Sequence, residues 1–337
     1  MSVRSAEAAI AGECDDYMKE IQWFPGHMAK TGRELSESVK LADIIIEVID
    51  SRIPKSSGNP DFDKIFAGKK RLVVLNKADL ADPVGNEAWK REYGKRGVEA
   101  FTVNARSGDG VHRVYKALSI IGMEKSQKHF KRGVVGRPVR AIVAGIPNSG
   151  KSSLINRLAN KYAAKTGDRP GVTKSRQWIR LDENIELMDT PGILWPKFES
   201  GDVAAHLAFT GAIRDEVYDV VEVVERLARY LLKYHRPELI KRYGDIFGPA
   251  RGETEDTGNA ALGDDVPGNA VHENATPGDA ATGGITPKSP ESPLELIGRR
   301  RGFLARGGNV DIERAATIVL DEFRAAKIGR ITLEMPD

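Results

Sequence analysis

Cysteine is nearly absent: Cys14 stands alone in a chain of 337 residues. A lone thiol excludes a disulfide framework and any four-cysteine zinc module. Long apolar runs are missing too. None approaches the 18 residues a membrane-spanning helix needs, so no membrane partner is expected. Residues 1–20 contain Glu7, Glu13, Asp15, Asp16 and Glu20 and little apolar content. They resemble neither a secretory signal nor an Arg-rich transit peptide and read as a loose leader, which predicts a cytoplasmic protein. Residues 250–293 lack Phe, Trp and Tyr altogether and are rich in Gly, Ala, Asp, Pro and Thr, the composition of a disordered insert.

What is present is ordinary for a globular chain: 40% apolar and 29% charged residues, at a length that suggests about two domains. The net charge of +3 is unevenly spread. The 250–293 insert has eight acids against Arg251 and Lys288, a net −6, which leaves +9 on the remainder. A body that basic suits an anionic partner such as nucleic acid.

Near-continuous apolar runs at 41–50, 71–75, 100–103 and 139–144 predict strands buried on both faces. Amphipathic stretches at 28–39, 60–67, 86–96 and 111–121, and another from Lys151 onward, predict helices between or beside them. Residues 125–140 read as a basic connector, and 174–181 with 184–188 as a strand pair. Alternating strands and helices predict an α/β fold with a mostly parallel sheet and helices on both faces. Helical patterns then follow at 203–211, 216–233, 237–243, 294–301 and 311–327. The expected organisation is leader 1–20, α/β domain 21–200, helical domain 201–249 and 294–335, and insert 250–293.

Gly145-Ile-Pro-Asn-Ser-Gly150-Lys151-Ser152 fits G-x-x-x-x-G-K-[ST], preceded by a predicted strand and followed by a helix with Leu154, Ile155 and Leu158 on one face. Its glycines let backbone N–H groups turn toward phosphate oxygens, and the helix N-terminus adds partial positive charge. Lys151 would meet the β/γ oxygens and Ser152 a Mg²⁺ ion. Asn76-Lys77-Ala78-Asp79 follows the strand 71–75. Asp79 would accept from the ring N–H and amine of guanine, two donors adenine cannot offer there. The stem of Lys77 would lie on the base, Asn76 would brace the loop, and Asn104, Ala105 and Arg106 would offer backbone N–H groups to the guanine carbonyl. Among several D-x-x-G matches, only Asp189-Thr-Pro-Gly192 ends an apolar strand downstream of the phosphate loop. There Asp189 would hold Mg²⁺ through water, and Thr173 would complete the metal shell.

In ordinary GTPases the phosphate loop comes first and the base reader later. Here the base reader leads, so the chain reads as a circularly permuted P-loop GTPase domain followed by a helical domain. Permutation costs little where the old termini lay close together. Asn148 lies where potassium-activated GTPases place a K⁺-binding Asn. His27 precedes the strand 41–50 and would start near the γ-phosphate. Ile193, after Asp-Thr-Pro-Gly, supplies no water-orienting Gln.

These motifs, with Ile21-Gln-Trp-Phe-Pro-Gly-His-Met-Ala-Lys30, Asp168-Arg-Pro-Gly-Val-Thr-Lys-Ser175 and the tail from Glu322 to Ile331, resemble the ribosome biogenesis GTPase A family over 21–248 and 293–334. The resemblance implies a cytoplasmic GTPase that assists late assembly of the large ribosomal subunit. The basic body, and a γ-phosphate motif that leads straight into the helical domain, predict rRNA binding in the GTP state and stimulation by the ribosome, and a monomer is expected. The expected catalytic residues are His27, Lys151 and Thr173. GTP contacts are expected from Asn76, Lys77, Asp79, Asn104, Ala105, Arg106, Pro147, Asn148, Ser149, Gly150, Lys151, Ser152, Ser153 and Gly192. Mg²⁺ would be held by Ser152, Thr173 and Asp189, and K⁺ by Asn148. The insert departs from the compact family pattern. A zinc-bearing small-subunit sibling is excluded by the single cysteine, and a mitochondrial one is at odds with the acidic leader. A GTP-binding switch of another ribonucleoprotein or regulatory system, with little turnover of its own, is the alternative from a different class.

Overall fold

The computed structural model describes residues 26–130, 138–162, 178–248 and 291–336. Its centre is a six-stranded sheet of order β3-β2-β1-β4-β6-β5. The strands are β1 (Ile44–Asp50), β2 (Lys70–Asn76), β3 (Glu99–Thr102), β4 (Val139–Ala144), β5 (Trp178–Arg180) and β6 (Ile185–Asp189). All neighbours pair in parallel except β5, which is antiparallel to β6 at one edge. Every residue of β1 is buried, as its unbroken apolar run requires.

Helices cover both faces. On one, α4 (Val111–Phe130) and α5 (Lys151–Tyr162) bring Val114, Leu118, Leu154 and Leu158 onto Ile44, Ile46, Val74 and Val143. On the other, α1 (Gly26–Leu41) and α2 (Asp61–Ile65) pack Leu35, Val39 and Phe62 against Ile45 and Ile142. Beside them α3 (Pro83–Lys95) packs Trp89 and Tyr93 on Ile49, Val73 and Leu75. The remaining helices, α6 (Gly201–Phe209), α7 (Val220–Tyr234), α8 (Arg236–Tyr243), α9 (Pro293–Arg300) and α10 (Ile312–Arg324), share a separate core. That core includes Phe209, Leu227, Leu231, Val319 and Phe323, and takes in Met28, Ile53 and Ile146 from the sheet side.

Element ends depart from the sequence reading where polar side chains decide them. Helix α3 begins at Pro83, not 86, because Asp82 accepts from Val84 N and Gly85 N and Pro83 needs no N–H at the first position. Helix α4 runs on to Phe130, into the stretch read as a basic connector, and its Lys125 pairs with Asp43. Helix α7 starts at Val220 behind an Asp219 cap, because Asp215 is engaged by Tyr218 and Arg324 in a short 3-10 turn. Helix α10 stops at Arg324, three residues early, and Ala326 takes a left-handed φ of 53° as the chain turns back across the sheet domain.

Candidate functional site

Five loops meet at the carboxyl edge of the parallel strands, around the point between β1 and β4 where the strand order reverses. In open α/β sheets that crevice is where ligands bind. Residues 145–150 link β4 to α5, Asn76–Asp79 leave β2, Asn104–Arg106 leave β3, and Thr190–Gly192 leave β6. The fifth loop leaves β1 at Asp50.

Asn76 joins three of these segments. Its Nδ2 donates to Ser149 O at 2.8 Å and its Oδ1 accepts from Ala105 N at 3.0 Å. Gly150 passes so close, at φ 93°, that a Cβ there would lie 2.2 Å from Asn76 Nδ2. Gly192 is equally confined, since a Cβ would lie 2.6 Å from the Pro147 backbone. Both positions therefore require glycine.

Lys151 is 7% exposed, and its Nζ donates to Ile146 O at 2.8 Å. Burial lowers its pKa to about 8, with the nearby Lys77 cation acting in the same direction and Asp189 opposing it. Ser152 Oγ donates to Asp189 Oδ2 at 2.9 Å. Burial pushes the Asp189 carboxyl up against the pull of that bond and of Lys151. Its Oδ1 is buried with no hydrogen-bond partner among the described residues. An oxygen-ligated divalent cation suits this pair: a hydroxyl beside a carboxylate that has an idle lone pair is the donor set Mg²⁺ uses next to phosphates. Ser149 is buried, with Oγ on Ile146 O, while Ser153 lies exposed on the first turn of α5 and Pro147 is half-buried.

Asp79 is exposed at the loop tip, as a base-reading carboxylate must be. All three N–H groups of the 104–106 loop are engaged: Asn104 N with Asp109 O, Ala105 N with Asn76, and Arg106 N with Asn104 Oδ1 at 2.9 Å. A guanine oxygen reaching this loop would have to share or displace one of them. Asn148 takes a left-handed φ of 56° and donates from Nδ2 to Gly211 O, at the end of α6, at 2.6 Å.

His27 occupies the first turn of α1, one turn before Thr31. That helix lies against the Asp189 loop, where Thr31, Glu34, Leu35 and Ser38 face Met188–Pro191 across a small cleft. Thr173 falls outside the described residues.

Sequence reasoning missed a buried ionic cluster under Lys77. Asp50, 2% exposed, holds Arg52 through Nε–Oδ1 at 3.0 Å and Nη2–Oδ2 at 2.7 Å. It also holds Lys77 Nζ through Oδ2 at 2.8 Å. Burial alone would raise the Asp50 carboxyl, but the two cations outweigh it and hold it well below the usual carboxylate range. The available signal was an acid ending a fully apolar strand, with a base two residues later, since a buried charge needs a partner.

Comparison with known proteins gives four matches. Residues 140–242 match a family described as 50S ribosome-binding GTPase. The chain is 40% identical over 320 residues to the Bacillus cereus ribosome biogenesis GTPase A, covering 94% of each chain. It is 41% identical to the Priestia megaterium protein of the same name, covering 94% of this chain and 97% of that one. Among solved structures it is similar to GNP-bound YlqF from T. maritima, with a TM-score of 0.58, 25% identity, and coverage of 91% of this chain and 99% of that one.

Proposed function

This chain belongs to the ribosome biogenesis GTPase A family, and on that footing we propose that it binds the large ribosomal subunit through rRNA in its GTP state and promotes late maturation. It is a GTP-hydrolysing assembly factor. Asn76, Lys77 and Asp79, with the 104–106 loop, take the guanine. The backbone of Pro147–Gly150, with Lys151, Ser152, Ser153 and Gly192, takes the phosphates. Ser152 and Thr173, with Asp189 through water, would hold Mg²⁺, whose charge would offset that of the phosphates. Asn148 holds K⁺, and His27 serves the hydrolytic step. The protein works in the cytoplasm as a monomer, and the ribosome stimulates its turnover.

The match of residues 140–242 to a family described as 50S ribosome-binding GTPase supports the large subunit as target, and continuity between the γ-phosphate motif and the helices carries the dependence on GTP. After Gly192, Ile193 N donates to Gly145 O of the phosphate loop at 3.3 Å. Leu194 and Trp195 then enter the helical core beside Leu207 and Phe209. Ordering of the loop by GTP would therefore be transmitted directly to the helices, as segment ordering is in other switches. The net positive charge of the chain outside the insert, most of which lies outside those helices, suits an rRNA target whose binding weakens with salt.

Co-sedimentation with purified large and small subunits tests this. Association should favour large subunits, should be tighter with a non-hydrolysable GTP analogue than with GDP, and should fall steeply with added salt. Equal binding in both nucleotide states, or preference for small subunits, would overturn the reading and leave the GTPase.

A further inference from the structure

The base reader stands on a support that none of the motif residues supplies. Lys77 has φ 58°, a left-handed conformation that lysine seldom adopts, and its ammonium ends on Asp50. A lysine stem has four rotatable carbons and wanders unless its head is tied. Asp50 would itself rotate if it were held only by Lys77. Arg52 prevents that by binding both carboxylate oxygens in a planar fork, which leaves one lone pair of Oδ2 for Lys77. The Arg52 backbone N–H adds a further bond to Oδ1 at 3.1 Å.

The far side of the same guanidinium reaches the helices. Arg52 Nη2 lies 3.4 Å from Thr210 O, and Nη1 lies 3.4 Å from Arg324 O. These carbonyls close α6 and α10, where the helix dipole favours a cation. The Arg52 side chain is only 3% exposed, so a nucleotide in the crevice does not touch it.

We propose that Arg52 is a positioning residue for guanine-nucleotide binding, acting through Asp50 to pre-organise Lys77 and linking the base site to the ends of α6 and α10. The proposal rests on the base-reader assignment of Lys77 and Asp79. Lysine at position 52 keeps the charge but cannot fork onto both carboxylate oxygens while also reaching the two carbonyls.

Calorimetric titration of the full chain with GDP tests it, using Arg52→Lys, Lys77→Met, Asp79→Ala and the Arg52→Lys/Lys77→Met double variant. Arg52→Lys should weaken GDP binding about ten-fold, the scale of freeing one rotamer-rich side chain. Lys77→Met, which keeps the stem and leaves Asp50 paired with Arg52, should weaken it by a similar factor. The double variant should bind no more weakly than Lys77→Met alone, because both changes release the same anchor. Losses that add in the double variant, or wild-type affinity in Lys77→Met, overturn the positioning role. Should Arg52→Lys fail to fold, Arg52→Gln, which also loses the fork, takes its place in the same cycle, and wild-type affinity in it overturns the role. Wild-type GDP affinity in Asp79→Ala would instead overturn the base-reader assignment, and the positioning role with it.

Discussion

At the scale of single residues, the phosphate loop holds its charge at a cost that pH exposes. Lys151 has a folded pKa of about 8 against an ordinary 10.5, because it is buried. Between those values the unfolded chain binds more protons than the folded one, so this group makes the nucleotide-free protein more stable as pH rises. Nucleotide binding moves the opposite way. Phosphate oxygens need the ammonium, so above pH 8 binding must first restore a proton. GDP affinity should be flat below about pH 8 and then fall, a trend absent from Lys151→Met when titrations at pH 7.5 and 8.5 are compared, a range in which the guanine ring N–H stays protonated. His27 raises a separate question of rate. No Gln follows Asp-Thr-Pro-Gly, and α1 lies along the Asp189 loop. His27→Ala should therefore lower ribosome-stimulated turnover about ten-fold or more with GTP affinity unchanged, measured as phosphate release beside nucleotide titration. Wild-type turnover would return His27 to a structural role.

At the scale of elements, the segment after α10 ties the helices to the sheet. Leu333 N donates to Arg52 O at 2.8 Å, and Trp89 Nε1 to Glu334 O at 2.7 Å. The Glu334 carboxylate accepts from Lys55 N at 2.7 Å and from Ser56 N at 2.9 Å, and it also meets the Ser56 hydroxyl and His206 Nδ1. Burial would raise this carboxyl, yet His206 and Ser56 outweigh it and hold it below the ordinary range. A carboxyl depressed on folding contributes stability above its unfolded pKa and loses it as pH falls. Glu334→Ala should thus destabilise by about 2 kcal/mol at pH 7, since buried donors are left unpaired. The gap from wild type should shrink as thermal melts are taken below about pH 4.5.

At the scale of the whole molecule, one turn after α6 touches two of the loops at the crevice. Gly211 O takes the Asn148 amide, and Thr210 O faces Arg52. With its Nδ2 committed to Gly211, Asn148 keeps Oδ1 as an acceptor, the atom to which the proposed K⁺ role would assign the ion. Hydrolysis should run faster in potassium than in sodium at equal ionic strength, and Asn148→Ala should remove the difference. Equal wild-type rates in both salts would exclude the ion role of Asn148.

Local chemistry made much of this protein legible in its sequence. Four strands, the phosphate loop and Asn76–Asp79 could be read because each depends on neighbouring residues: an apolar run, a glycine spacing, a motif at a strand end. The reversed motif order by itself announced the permutation. Helix starts at Pro83 and Val220 were less legible, since an Asp is known as a cap only once its side chain finds the N–H groups, and Asp82 also opens a chance D-x-x-G. The tie of Lys77 to the Asp50–Arg52 pair, the return of Leu333 and Glu334 to the sheet, and the grip of Gly211 on Asn148 belonged to tertiary structure alone. Each joins residues 25 or more positions apart, or turns on which buried charge meets which carbonyl. Such pairings follow from packing two cores against each other, which no local pattern encodes.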